Sequence, residues 1–113
     1  MRAHSLSLGG LQVSWDDPAG GLVELALVGE LDNLSAPVFR RALESVVGGG
    51  GHDIAVELAE LRFVDSSGIN ELVTAWRRCR QHGGTLTVRN PAVAVQRLLE
   101  LTGVADLLAP PEK

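Results

Sequence analysis

A single cysteine, Cys79, stands in a chain of 113 residues, so no intramolecular disulfide is possible and a reducing, cytoplasmic setting is expected. Met1 to Gly10 lacks the continuous apolar stretch of a secretory leader, and none is expected. No apolar run reaches the roughly 18 to 20 residues that span a bilayer. Glu24, Glu30, Glu57 and Glu60 interrupt the richest runs, and membrane insertion is not expected. Basic residues are outnumbered, ten Lys and Arg against fourteen Asp and Glu. The resulting charge of -4 argues against the cationic surface that nucleic acid requires and leaves a protein as the expected partner. His4, His52 and His82 share no metal-ligand spacing, so neither metal nor cofactor is expected. No Gly-x-Ser-x-Gly elbow surrounds any serine, no base is placed beside Ser67, and the chain reads as a non-enzyme.

What is present is a 45% hydrophobic composition, enough for one core, and residues 1–113 read as a single domain with an ordered part of about 11–108. Leu11 to Trp15 alternates as a strand does, and Asp16 to Gly21 supplies turn residues for a hairpin with Leu22 to Gly29. That second run is almost continuously apolar, which predicts a mid-sheet strand covered on both faces. Trp15 falls on an expected edge strand. Ser35, Pro37 and a Leu34–Phe39 staple predict a helix start, with Val38, Ala42, Leu43 and Val46 as its buried face and Gly48 to Gly51 as its end. Asp53 to Leu58 reads as a strand, extended by Leu61 and Phe63. Ile69, Leu72, Val73 and Trp76 then give the i, i+3, i+4, i+7 stripe of a second helix from Ser66, closed by Arg77, Arg78 and Arg80. Thr85 to Val88 is a short strand, Asn90-Pro91 predicts the cap and first turn of a third helix, and Gly103 with Val104 predicts its end.

Strands alternating with helices imply right-handed crossovers onto a parallel sheet. The predicted class is α/β, with a four- to five-stranded mixed, mostly parallel sheet, an N-terminal antiparallel hairpin and helices mainly on one face. Val64-Asp65-Ser66-Ser67-Gly68-Ile69 then falls where a buried strand ends and a helix begins. Helix N-termini at such strand ends present free amides and a positive dipole. Asp65 is the expected cap, Ser66 and Ser67 project hydroxyls from the first turn, and Gly68 admits close backbone approach. Capping alone would explain these residue types. Asp32, closing Gly29-Glu30-Leu31-Asp32, is expected at the same edge of the sheet.

Taken together, Gly29-Glu30-Leu31-Asp32, Phe63-Val64-Asp65-Ser66-Ser67-Gly68, Asn90-Pro91 and Leu98-Leu99-Glu100-Leu101-Thr102-Gly103-Val104 resemble the STAS family, the sulfate transporter and anti-sigma factor antagonist domains. The resemblance runs from about Leu11 to Leu108 and is strongest to stand-alone bacterial anti-sigma factor antagonists. It implies binding to an anti-sigma factor serine kinase, release of a sigma factor, phosphorylation of Ser67 as the off signal, and reversal by a serine phosphatase. It implies a partner surface of Asp32, Asn33, Asp65, Ser66, Ser67, Gly68, Ile69 and Asn70, on a monomer or weak dimer. Asn70 and Glu71 depart from the small or apolar residues that relatives often carry there. Two other readings share these residues: a cytoplasmic STAS subunit of a lipid-handling ABC transporter, and a signalling domain with Asp65 as phosphoacceptor. The latter lacks the early acidic pair and the late lysine of that chemistry.

Overall fold

The computed structural model describes residues 3–17 and 21–110. Pro18, Ala19 and Gly20 of the expected hairpin turn, and the tail from residue 111, lie outside the described residues. Along the chain run β1 (His4–Leu8), β2 (Leu11–Trp15), β3 (Leu22–Leu31), α1 (Ala36–Gly48), β4 (Asp53–Val64), α2 (Ser66–Gln81), β5 (Thr85–Arg89), α3 (Val93–Leu101) and α4 (Ala105–Leu108). The strands lie in sequence order in one sheet. β1–β2 and β2–β3 are antiparallel, whereas β3–β4 and β4–β5 are parallel.

That order decides where the helices go. Two successive right-handed crossovers stepping the same way across a sheet leave their helices on the same face. Accordingly α1 and α2 lie side by side over one face. The strand residues pointing there, Leu11, Val13, Leu25, Leu27, Val56 and Leu86 among them, are buried with Phe39, Leu43, Ile69 and Leu72 from the helices. The other side of β3 is half-buried at Glu24, Ala26 and Val28, so the strand sits mid-sheet as expected but is fully covered on one face only. Charge at Glu24 is compatible with that half-open side.

β1 was not anticipated. It pairs Leu6 with Val13 and His4 with Trp15. Trp15 therefore lies inside the sheet, buried, with the His4 ring stacked on it at 5.4 Å between centroids. The edge position expected for Trp15 belongs to β1 instead.

β4 departs from simple alternation. Opposite Ala26 to Val28 it runs from Glu57 to Glu60, and opposite Gly29 to Glu30 it runs from Leu61 to Phe63, so it carries one extra residue at each place. Bulges of this kind re-aim the side chains that follow. Leu58, Leu61 and Val64 all reach the core, while Phe63, expected to extend the apolar strand, is 49% exposed. The Glu57 carboxylate serves the irregular stretch, accepting from the Ala59 amide at 2.9 Å and from Asn90 Nδ2 at 2.9 Å.

The third helix starts later than expected. Asn90 adopts a left-handed φ of 54°, a conformation that Asn tolerates better than most residues, and α3 begins at Val93 after Ala92. Its end follows the expectation: Gly103 has a φ of 77° and the Val104 amide donates to the Leu99 carbonyl at 3.0 Å. The Cys79 thiol is buried in α2, and burial pushes its pKa up to about 11, with Arg78 acting in the opposite direction.

Candidate functional site

β3 and β4 are in register at Leu31 and Val64, and the Asp65 amide donates to the Leu31 carbonyl at 3.3 Å. The two chains thus leave the sheet together, one into Asp32 and the other into Asp65. Each aspartate organises the helix that follows it.

Asp65 is the cap of α2, as the sequence predicts. Its backbone is extended and its Oδ1 accepts from the Gly68 amide at 3.0 Å. Gly68 is buried against β3: a Cβ there would lie 2.5 Å from the Leu31 carbonyl oxygen and 2.5 Å from Val64 Cγ2. Close approach of helix to strand is what the missing side chain permits.

At α1 the expected division of labour is reversed. Ser35 precedes the helix, but its hydroxyl caps nothing there. Fully buried, it donates to the Glu30 carbonyl at 2.8 Å and accepts from the Asp32 amide at 2.9 Å. Asp32 caps the turn that leads into α1, with Oδ1 accepting from the amides of Leu34 and Ser35, each at 3.0 Å. The expected Leu34–Phe39 staple is absent, because Leu34 is 72% exposed while Phe39 is buried. Asp32→Ala is expected to cost about 1 to 2 kcal/mol, the usual value of such a cap, and Asp32→Asn less than half of that because an acceptor oxygen remains. Urea unfolding midpoints measure both, and an unchanged midpoint in the alanine variant would refute the capping role.

The hairpin tip between β1 and β2 completes this end of the sheet. Gly29 has a φ of +111°, and a Cβ on it would lie 2.1 Å from the Gly10 carbonyl oxygen, which also accepts from the Glu30 amide at 3.1 Å. Gly9 abuts the backbone of Leu34 and Ser35 in the same way. The Asp32 loop is therefore held from below by a turn that the sequence reading left out. The paired glycines Gly9-Gly10 after the alternating Ser5-Leu6-Ser7-Leu8 were the available signal.

On this fixed frame Ser66 is exposed and Ser67 half-buried, and among the described residues neither hydroxyl has a side-chain hydrogen-bond partner. Asn33 and Asn70 are exposed, and Asp32 and Asp65 are half-buried. Ile69, in contrast, is 6% exposed and faces the core with Leu72. The structure brings together the two acidic loops and the serine turn, with Leu34 and Phe63 as the exposed apolar side chains on the segments that frame them. Neither Leu34 nor Phe63 was singled out as a site residue from the sequence.

One further contact ties the helices here. Arg40 of α1 meets Glu71 of α2 through two bonds, Nε to Oε1 at 3.1 Å and a terminal nitrogen to Oε2 at 3.2 Å. Glu71 raises the Arg40 pKa above its ordinary value. The acidic residue that looked out of place at position 71 thus has a partner 31 residues away in sequence.

A family model described as "Mlab, STAS domain" matches residues 17–109, which includes both acidic loops and the serine turn. The chain belongs to the STAS domain family. The anti-sigma-B factor antagonist of Bacillus subtilis strain 168 is 29% identical over 86 residues, covering 76% of this chain and 78% of that protein. Among solved structures, the anti-sigma factor antagonist SpoIIAA in its unphosphorylated form superposes with a TM-score of 0.75 at 20% identity, over 89% of this chain and 88% of that one. The Bacillus cell fate determinant SpoIIAA in the phosphorylated form gives 0.69 at 20% identity, over 89% and 91%. These two likenesses establish the STAS fold. No described helix is long and apolar enough to cross a membrane.

Proposed function

We propose that this STAS domain is an anti-sigma factor antagonist: it binds an anti-sigma factor serine kinase, frees the sigma factor held there, and is switched off by phosphorylation of Ser67. The observation that carries the reading is the Ser67 hydroxyl, half-exposed and without an internal partner on a turn fixed by Asp65 and Gly68. A kinase would move the γ-phosphoryl group of ATP to Oγ, with the hydroxyl proton lost to solvent or to a base on the kinase. A serine phosphatase would return the hydroxyl by hydrolysis. The docking face in this reading comprises Asp32, Asn33, Asp65, Ser66, Ser67 and Asn70, with Gly68 and Ile69 acting from beneath by holding the turn in place.

The fold should tolerate the modification, since a dianion near a helix N-terminus gains about 0.3 to 1 kcal/mol. Docking should not, because the same dianion must shed water beside Asp32 and Asp65 when a partner closes over it. The names carried by the relatives support the role, and the recorded phosphorylated and unphosphorylated forms of SpoIIAA, both on this fold, support a switch that leaves the scaffold intact.

Incubation with ATP and the serine kinases encoded near the gene, followed by mass mapping, tests the reading. Phosphate on Ser67, and none on Ser67→Ala, is the expected result. Modification elsewhere, or co-purification with an ATPase and permease in place of a kinase, would overturn it.

A further inference from the structure

We infer that Arg40 is the internal counter-ion of phosphorylated Ser67, leaving Glu71 for the phosphate when the modification arrives. This rests on the reading of Ser67 as the phosphoacceptor and concerns what the modified side chain meets. Ser67 and Glu71 are four residues apart on α2, which puts them on one helix face with about 5 to 6 Å between Cβ atoms. α1 and α2 follow parallel strands and run side by side in the same direction. Helical side chains lean toward the N-terminus, so Glu71 leans toward the Ser67 turn of its own helix, and the Arg40 fork is bonded to that carboxylate.

The present partners make the exchange chemically reasonable. Arg40 is half-open, with its side chain 53% exposed, and its planar fork already makes a two-point contact with a carboxylate. The same fork fits two oxygens of a phosphate. A dianion on Ser67 would otherwise face Asp65 and Glu71 from its own helix and Asp32 from the preceding loop, with Glu44 further along α1. Arg40 is the cation already bonded to one of these groups, the Glu71 carboxylate. Its transfer would strip Glu71 of its partner, so an approaching kinase would meet a phosphate and a newly unpaired carboxylate together.

The test uses full-length protein with phosphoserine placed at position 67 during translation, and follows the phosphorus chemical shift against pH. The second ionisation of the phosphate, near pH 6 in the free amino acid, is expected at least about half a pH unit higher in Arg40→Gln than in the unsubstituted chain. Arg40→Lys should fall between them, since ammonium is a point charge. Glu71→Gln, which frees Arg40 and removes a neighbouring negative charge, should move the midpoint down. An Arg40→Gln midpoint equal to that of the unsubstituted chain overturns the inference, whatever Glu71→Gln does. Because no kinase is needed, that result would leave the switch itself standing, and a failure of kinases to modify Ser67 would leave this measurement valid.

Discussion

A chain carrying phosphate on Ser67, or glutamate in its place, is expected to bind the kinase at least about a hundredfold more weakly while unfolding at the same temperature. The asymmetry comes from where the charge sits. In the free protein the half-buried Ser67 opens to water, so an added charge keeps most of its hydration and costs the fold little. In a complex the same atoms lose that water among Asp32 and Asp65, whose oxygens already accept the amides of Leu34, Ser35 and Gly68. Desolvating a dianion set among carboxylates costs several kcal/mol, and about 1.4 kcal/mol is a factor of ten in affinity. Ser67→Ala, which removes only a hydroxyl, should bind as tightly as the unmodified chain and resist regulation. Titration calorimetry with the kinase, beside thermal unfolding of each form, separates the two effects. Equal affinity for all forms would refute the switch, and a lowered melting temperature in Ser67→Glu would show that the charge acts through the fold instead.

A large stability loss is expected from Gly29→Ala, at least about 2 kcal/mol, from two independent causes. The backbone at Gly29 has a φ of +111°, which a residue with a Cβ adopts only with strain, and the added carbon would lie 2.1 Å from the Gly10 carbonyl oxygen. Neither side can yield cheaply, because that oxygen accepts from the Glu30 amide and belongs to the turn under the Asp32 loop. Gly10→Ala is the internal comparison. Its φ of +87° is also left-handed, but the nearest atom to an added Cβ is the flexible end of Glu30 at 3.6 Å. It should lose about 1 kcal/mol, from backbone strain alone. Equal losses in urea unfolding would mean that close packing under the site contributes nothing.

The elements that bury most were legible in the sequence. β3, α1 and α2 announce themselves because Leu25, Leu27, Phe39, Ile69 and Leu72 must all face one core, and their spacing has few geometric solutions. The Asp65 cap and the Gly68 contact were legible for a related reason, since a strand ending in Asp-Ser-Ser-Gly before an amphipathic stripe has an obvious boundary. β1 was not, because its strand character comes from pairing with β2 and lying beside Trp15, and four of its five residues remain exposed. At α1, Asp32 and Ser35 are both good caps three residues apart. Which of them serves the amides depends on where β3 ends, and that is fixed by Val64 on the neighbouring strand. Leu34 looked like a staple until the same turn pointed it outward. The Arg40–Glu71 pair could not be read at all, since it depends on how two helices from separate crossovers lie against each other.

The two irregularities in β4 leave a lasting constraint on how this chain can vary in length. Each adds one residue relative to β3, so that Leu58, Leu61 and Val64, spaced three apart, all face inside and Asp65 reaches the Leu31 carbonyl. Loss of one residue at either irregularity would leave one-to-one pairing with β3 there and keep Leu61 and Val64 inside, whereas loss of one residue where the strands already pair one to one would turn part of the strand over. Loss of one residue at each would straighten it. Descendants of this sequence are thus free to shed the extra residue at either place and barred from losing one where β3 and β4 already match residue for residue.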